Sequence, residues 1–389
     1  MMKWSEIPRN AKNYILYHTV ISPFLISWHM FPIYMFMTGY TILDVGFLYT
    51  IVNILTIPLT YLIGRLFNRI PLRHGLIIIE LLDAASNFLL GFAKGAIAPV
   101  MIFLSYLMDK ISGLFYPLYQ AVEKVIYPKD RMEEILSWHM RLPELSQMLG
   151  FPIFGFIFGY VLTNPENYRN GFIIFGLVSI IMIFYILKYL PKLDISERLE
   201  TKRYEFRSPK EFGIFILAYT LYLIAWSLAP GIVFVNYIVN VLHLTLFEVA
   251  LVESFMSLSS IISTYFTEKI PSSKRFEAIG IGLIFIFIWA LIMYLNPPFE
   301  IVLIAYFLCS FGDTLTFPFM RGWFFSLIPK DRASEFTSIV SSYVRLLGIF
   351  TPLISSFLAS LNPTLPYLVS MILFISEGLV LIILARKFK

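Results

Sequence analysis

Long apolar stretches recur along the whole chain, separated by short segments that contain Pro, Gly, Asn or clustered charges. A helix needs about 20 apolar residues to cross a bilayer core about 30 Å thick. Continuous runs such as 170–190 differ from the alternating segments of about ten residues that build transmembrane barrels. The pattern therefore predicts twelve transmembrane helices. Their approximate bounds are 13–38, 45–67, 74–93, 96–123, 133–162, 170–190, 212–239, 246–267, 277–295, 299–328, 333–361 and 366–386.

The composition supports a membrane protein. Hydrophobic residues occupy 58% of the 389 positions and charged residues 14%, whereas a soluble domain carries about 25% charged residues. The single cysteine, Cys309, cannot form an internal disulfide and lies within an apolar stretch. The first apolar stretch, from about Asn13 to Thr38, is too long for a signal-peptide core and has no small-residue cleavage site, so we expect it to be the first span.

Lys and Arg are distributed unevenly between the two sides that the predicted helices define. If the N-terminus lies inside, most of the 30 Lys and Arg residues fall on the inner side, and the outer loops contain only Lys94 and Arg169. The positive-inside rule then places both termini in the cytoplasm. We therefore expect a multi-pass protein of the cell membrane, in contact with lipid and without a nucleic-acid partner.

The sequence contains an internal repeat. Residues 128–131 read Pro-Lys-Asp-Arg, and residues 329–332 repeat these four letters 201 positions later. Residues 69–71 (Arg-Ile-Pro) match residues 269–271 (Lys-Ile-Pro) at an offset of 200. Two loops that agree on nearly the same offset indicate a duplicated six-helix unit. The predicted organisation is an N-terminal bundle at 1–190, a cytoplasmic linker at 191–211 and a C-terminal bundle at 212–389.

The loop between spans 2 and 3 carries a further pattern. Residues 64–73 read Gly-Arg-Leu-Phe-Asn-Arg-Ile-Pro-Leu-Arg, which is similar to the Gly-x-Leu-x-Asp-Arg-x-Gly-Arg-Arg/Lys loop of the major facilitator superfamily. With its two six-helix halves, the chain resembles that superfamily over nearly its whole length. The resemblance implies an all-α integral membrane fold of two pseudo-symmetric bundles. It also implies alternating access, in which the bundles rock about a site lined by spans 1, 4, 7 and 10.

The resemblance further implies that charged loops latch an inner gate. Asn68 replaces the acidic residue of the family loop, and Glu268 occupies the equivalent position in the second half. The candidate gate residues are Gly64, Asn68, Arg69, Arg73, Glu268, Asp130, Arg131, Asp331 and Arg332.

Ionisable side chains inside a membrane are costly and therefore usually face protein or water. Counting about 1.5 Å per residue from the span ends places Asp109, Lys110, Glu144, Asp313 and Arg345 near mid-depth. Neighbouring helical residues do not face one another, so we expect Asp109 and Lys110 to have separate partners. Asp109 and Asp313 are candidate proton carriers, with Lys110 and Arg345 as counter-charges or anion-binding groups. The alternative is that these residues form ion pairs that fix helix packing or gate closure.

Aromatic and histidine residues on the expected cavity helices are candidate substrate contacts. Trp28, Tyr106, Tyr222 and Trp226 suit a hydrophobic or ring-bearing substrate, and His29 can titrate near neutral pH. Packing and interfacial anchoring are the alternative roles of such residues.

Other polar residues in the spans have structural interpretations. Glu80 and Asp83 share one face of span 3, where we expect them to stabilise neighbouring cations. His18 is expected to form a hydrogen bond within the packed interior, and Glu123 to belong to a gate network or a solvated face.

The motifs of several function classes are missing from the sequence. It has no His-x-x-His or Cys-x-x-Cys pair, no phosphate-binding Gly-rich loop and no nucleotide-binding domain, so we expect neither an enzyme nor a bound cofactor or metal. The favoured hypothesis is a monomeric secondary transporter that exports small amphipathic organic compounds in exchange for protons. Uptake of a small metabolite or organic anion is an alternative that Lys110 and Arg345 suit. A transport-incompetent receptor or scaffold is a further alternative, which the altered 64–73 loop favours.

Overall fold

The computed structural model describes residues 3–67, 70–128, 131–191, 210–229, 231–327 and 346–387, together with Val340 and Tyr343. Throughout these residues the regular elements are helical. In the first half they are α1 (Arg9–Ile21), α2 (Ser27–Met37), α3 (Ile42–Phe67), α4 (Leu72–Gly91), α5 (Ala98–Leu114), α6 (Pro117–Ile126), α7 (Met132–Phe156) and α8 (Pro165–Tyr189). In the second half they are α9 (Lys210–Leu228), α10 (Gly231–Asn236), α11 (Leu246–Thr267), α12 (Arg275–Tyr294), α13 (Phe299–Leu327), α14 (Thr351–Leu361) and α15 (Leu365–Lys387).

The helices reproduce the predicted spans. Among the described residues, ten helical stretches are long and apolar enough to cross a membrane, and two shorter apolar helices, Thr351–Leu361 and Leu365–Leu381, follow them. The ten stretches coincide in order with the first ten predicted spans, and the two shorter helices fall within the last two. The all-α membrane class is confirmed. Of the predicted linker 191–211, residues 192–209 lie outside the described part of the chain.

Side-chain caps explain where several helices begin. The side chain of Asn164 caps α8 by accepting a hydrogen bond from the backbone N–H of Asn167 (2.8 Å). The first residue of that helix is Pro165, and proline suits the first helical position. At the start of α11, Glu248 accepts from the backbone N–H of Thr245 (2.8 Å), and the Thr245 side chain accepts in return. This reciprocal capping box satisfies backbone donors that a membrane would leave unpaired.

A proline interrupts the helix of the first span. Span 1 contains a 3-10 turn at Ser22–Ile26 that includes Pro23, because a proline has no N–H for the helical ladder. A side-chain carbon on Gly150 would lie 2.5 Å from the Cβ of Pro23. Gly150 therefore serves close helix packing.

The chain divides into two compact units, of which the first comprises residues 1–38 and 51–203 and the second residues 39–50 and 204–389. In the first unit α4 packs against α5 and α8, and α1 packs against α7. In the second unit α11 and α12 pack against α13, and α9 packs against α15. The second unit includes the first part of α3, where a side-chain carbon on Gly46 would lie 2.5 Å from the Cβ of Ser356.

Candidate functional site

The charged pair of the first unit lies on α5. The Nζ atom of Lys110 is 3.7 Å from Oδ2 of Asp109 and 4.8 Å from the centre of the Tyr106 ring. The expectation that Asp109 and Lys110 have separate partners is therefore wrong. The two side chains leave the helix in different directions, but the flexible four-carbon stem of a lysine lets its ammonium reach the neighbouring carboxylate.

Aromatic side chains surround this pair. Trp28 approaches the carboxylate of Asp109, and Tyr106 stacks on Phe31 with ring centres 5.6 Å apart and planes 3° apart. A cation is attracted to the face of such a ring, so Lys110 interacts with Tyr106 as well as with Asp109. Four of the predicted site residues, Trp28, Tyr106, Asp109 and Lys110, are thus brought together.

Two other predicted residues of the first unit lie elsewhere. The ring of His29 is 6.2 Å from that of Phe151, edge to face, which is a packing contact with α7. Glu144 is half-buried on α7. Arg345 lies outside the described residues.

Carboxylates on α4 extend the polar cluster into the interior of the first unit. Glu80 is fully buried, and its Oε1 atom accepts a hydrogen bond of 2.5 Å from the hydroxyl of Tyr17. Asp83 lies within electrostatic range of Asp109. The expectation that Glu80 stabilises a neighbouring cation is wrong: its described partner is a phenol, which can offset the cost of a buried carboxylate by donating a hydrogen bond.

Histidines occupy the other end of the same cluster. The rings of His18 and His139 are 4.7 Å apart, and the Nδ1 atom of His139 is 3.2 Å from Oε1 of Glu123 and 3.0 Å from the hydroxyl of Tyr127. Burial, and secondly the nearby Glu123, raises the pKa of Tyr127 well above its usual value. That phenol therefore keeps its proton at neutral pH.

The site of the second unit joins α9 to α13. The hydroxyl of Tyr222 donates a hydrogen bond to Asp313, and Trp226 lies edge to face with Tyr222 at 6.2 Å. Trp226 also stacks on Trp289 at 5.5 Å. The three predicted residues of this unit, Tyr222, Trp226 and Asp313, thus lie together in an aromatic environment.

The candidate gate residues are only partly described. Arg131 pairs with Glu6 (3.2 Å) and with Glu134 (3.4 Å), and all three side chains are exposed, so these pairs are worth little by themselves. Arg73 reaches the backbone oxygen of Leu190 at 3.5 Å, and Glu268 is exposed where α11 ends. Of Gly64 only its place in α3 is described. Outside the described residues lie Asn68, Arg69, Asp130, Asp331 and Arg332.

Sequence reasoning missed the tyrosines and His139 of the first unit. Tyr14, Tyr17 and His18 share one face of α1, and Tyr119 and Glu123 share one face of α6, because residues three or four apart are neighbours on a helix. These two rows of polar residues in otherwise apolar helices were the sequence signal from which the cluster could have been predicted. They indicate a common polar interior only if their faces meet, and that depends on the fold.

Comparison with known proteins relates this chain to a protein family and to solved structures. A family model described as Major Facilitator Superfamily matches residues 14–352. Among solved structures, a bacterial homologue of the iron transporter ferroportin in an inward-facing state has a TM-score of 0.76 at 15% identity, with 96% of this chain and 98% of that chain covered. A nucleoside transporter, NupG, has a TM-score of 0.69 at 16% identity, with 95% and 97% covered.

A third solved structure has the same fold. The xylose transporter XylE from E. coli, in an inward open conformation, has a TM-score of 0.69 at 12% identity, with 94% of both chains covered. No curated protein sequence matches significantly. Identities this low show the fold alone, and this fold confirms the predicted twelve-helix architecture in two six-helix bundles. Because the family model matches most of the sequence, the chain belongs to the Major Facilitator Superfamily.

Proposed function

We propose that the protein moves a small organic solute across the membrane by alternating access and couples this movement to protons. The observation that carries the proposal is the Asp109–Lys110 pair, which lies within an apolar span with 25% and 39% of the two side chains exposed. A charged pair within such a helix is expensive and usually functional.

The pair offers a simple coupling chemistry. A nearby cation favours the charged form of a carboxylate, and removing that cation favours the protonated form. If a solute draws Lys110 away, Asp109 loses its counter-charge and takes up a proton. Asp313 supplies a comparable group in the second unit, where Tyr222 donates the stabilising hydrogen bond.

The surroundings of the pair favour an amphipathic substrate, and we propose export as the direction of its transport. Trp28 is exposed next to Asp109, and the buried Tyr106 ring, stacked on Phe31, lies beneath Lys110. An aromatic environment next to one anion and one cation suits a molecule with an apolar body and a polar end. Uptake of an organic anion is the second candidate, which the partly exposed ammonium of Lys110 supports.

The test is flux in liposomes. Purified protein is reconstituted with an imposed pH gradient and offered a panel of amphipathic cations, organic anions and sugars. We expect gradient-dependent accumulation of at least one compound. Asp313→Asn is expected to abolish uphill accumulation while one-for-one exchange of the same compound continues, because exchange needs the solute site but no net proton movement.

Glu300→Gln provides the matched control, because Glu300 is an exposed carboxylate at the start of the same helix, α13. It should transport like the unmodified protein. Undiminished uphill accumulation in Asp313→Asn would remove that residue from the mechanism. A folded protein that moves no compound of the panel under any gradient would contradict the transporter proposal and favour a receptor or scaffold.

A further inference from the structure

One nitrogen of His139 has two partners, a phenol that can donate or accept and a carboxylate that can only accept. The hydroxyl of Tyr127 keeps its proton, so it can donate to Nδ1 (3.0 Å) only when that nitrogen carries no hydrogen. The carboxylate of Glu123 can only accept, so its contact with Nδ1 (3.2 Å) requires a hydrogen there. A proton on Nδ1 is therefore needed for the bond to Glu123, and when that proton leaves, Tyr127 can donate to the bare nitrogen.

Further titratable groups connect His139 to the interior of the first unit. His18 lies 4.7 Å from His139 and 4.8 Å from Tyr119 between ring centres. Tyr119 lies within electrostatic range of Tyr17, whose hydroxyl donates to Glu80.

The connection continues to the solute site. Asp83 lies within electrostatic range of both Tyr119 and Asp109. The set thus extends from the Asp109–Lys110 pair on α5, through α4 and α1, to the Glu123–His139 pair that joins α6 to α7.

Two buried atoms in this set lack the hydrogen bonds that a purely structural network would provide. Oε2 of Glu80 and Nε2 of His18 are inaccessible and have no hydrogen-bond partner among the described residues. Buried polar networks are generally satisfied, and an unsatisfied member calls for an explanation. Spare bonding capacity beside a titratable neighbour is what a group needs if it is to receive and pass on a proton.

We propose that these residues form a proton path through the interior of the first unit, in which His139 is the switch at the end remote from Asp109. Each step moves one proton from a donor to a neighbouring acceptor, and no bond between heavy atoms changes. The path enters by way of Glu123 and His139 and reaches Asp109 by way of Glu80 and Asp83. It rests on the proposed proton coupling and deepens it by assigning the route.

The titratable groups that face the two histidines come from three elements. Tyr14 and Tyr17 lie beside His18 on α1, and Tyr119 faces it from α6. His139 is faced by Tyr14 and His18 from α1, and by Glu123 and Tyr127 from α6 and the residue that follows it. The only acidic group in direct contact with either imidazole among these described neighbours is Glu123.

The test follows protons directly and needs no solute. The full chain in lipid nanodiscs is subjected to a pH jump, and the carboxylic-acid stretch is recorded by time-resolved infrared spectroscopy. Glu80→Gln should remove part of the pH-dependent band. His139→Gln should slow the appearance of that part by about tenfold or more, as expected when a positioned proton-transfer group is lost, while its final amplitude is unchanged.

Matched controls are available in the chain. His74 is an exposed histidine on α4, and His74→Gln should leave the rate unchanged. If His139→Gln does not fold, Tyr17→Phe removes the hydroxyl that contacts Glu80, keeps the ring, and should slow the band in the same way. Its control is Tyr34→Phe, which removes a buried hydroxyl that donates to the backbone oxygen of Ala93 (2.7 Å).

A pH-dependent band that Glu80→Gln leaves intact would overturn the path, as would an unchanged rate in both His139→Gln and Tyr17→Phe. These outcomes are independent of the flux assay. If the path fails while gradient-driven flux is observed, protons reach Asp109 by another route and the proposed function stands.

Discussion

Individual carboxylates in the membrane spans differ in how their charge is accommodated. Asp109 has an ammonium neighbour, and Asp313 and Glu80 each accept a hydrogen bond from a tyrosine. Glu377 on α15 is fully buried, and neither of its oxygens has a hydrogen-bond partner among the described residues. Its burial therefore destabilises the fold without an evident compensating contact.

Replacing Glu377 with a nonpolar residue of similar size should stabilise the second unit. We expect Glu377→Met to raise the free energy of unfolding by about 1–3 kcal/mol, the usual cost of an unsatisfied buried polar group. Thermal unfolding in detergent, followed by intrinsic tryptophan fluorescence, measures the change as a higher midpoint. Glu300→Met, at an exposed position, should leave the midpoint nearly unchanged. A lower midpoint for Glu377→Met would mean that the carboxyl group makes a stabilising contact.

At this scale the sequence identified charges better than it identified their partners. A charged residue in an apolar run is conspicuous, so Asp109, Lys110 and Asp313 could be found without a structure. The partners Tyr17 and Tyr222 could not be assigned, because tyrosine is common in membrane helices and its role depends on which helix faces meet. Helix packing determines which faces meet, and the hydropathy of the sequence carries no information about this packing.

Whole helices were predictable because the bilayer fixes their length and leaves their backbone groups no partner outside the helix. Interruptions within a span were harder to predict. A proline marks the 3-10 turn at Ser22–Ile26, but the single π-helical turns Ile157–Val161 and Tyr237–Val241, which end two of the helices, contain none. Close approaches between helices were also hidden, since glycine can serve packing or flexibility.

Two glycines on α12 allow a controlled test of helix packing. A side-chain carbon on Gly282 would lie 2.6 Å from the backbone oxygen of Gly312 on α13, whereas one on Gly280 would meet nothing within 4 Å. We expect Gly282→Ala to destabilise the protein by about 1–3 kcal/mol, because backbone must move. Gly280→Ala should be neutral or stabilising by up to about 1 kcal/mol through helix propensity.

The measurement is the midpoint of thermal unfolding of the two purified variants under identical detergent conditions. The comparison is internal, since both substitutions add the same methyl group to the same helix. Equal midpoints would show that α12 and α13 can separate without cost, contrary to the packing described here.

The two-half organisation of the whole molecule was predictable because both halves retain the same loop letters at nearly the same offset. The family match and the solved relatives confirm twelve helices in two bundles. The proposed boundaries 1–190 and 212–389 remain predictions, and the clustering of residues 39–50 with the second unit is a feature that no sequence pattern indicated. A helix such as α3, which contributes to both units, is assigned by its contacts and not by its composition.

The orientation of the molecule in the membrane is a prediction that rests on charge alone. Lys94 and Lys269 are both exposed and lie in loops that the predicted topology places on opposite sides. In a Cys309→Ser background, Lys94→Cys should react with a membrane-impermeant maleimide in intact cells, and Lys269→Cys should react only after permeabilisation. Because moving a positively charged loop across the membrane is opposed during insertion, a mixed population is not expected. Labelling of Lys269→Cys in intact cells would show that the topology is the inverse of the predicted one. The Glu123–His139 end of the proton path would then lie at the outer surface.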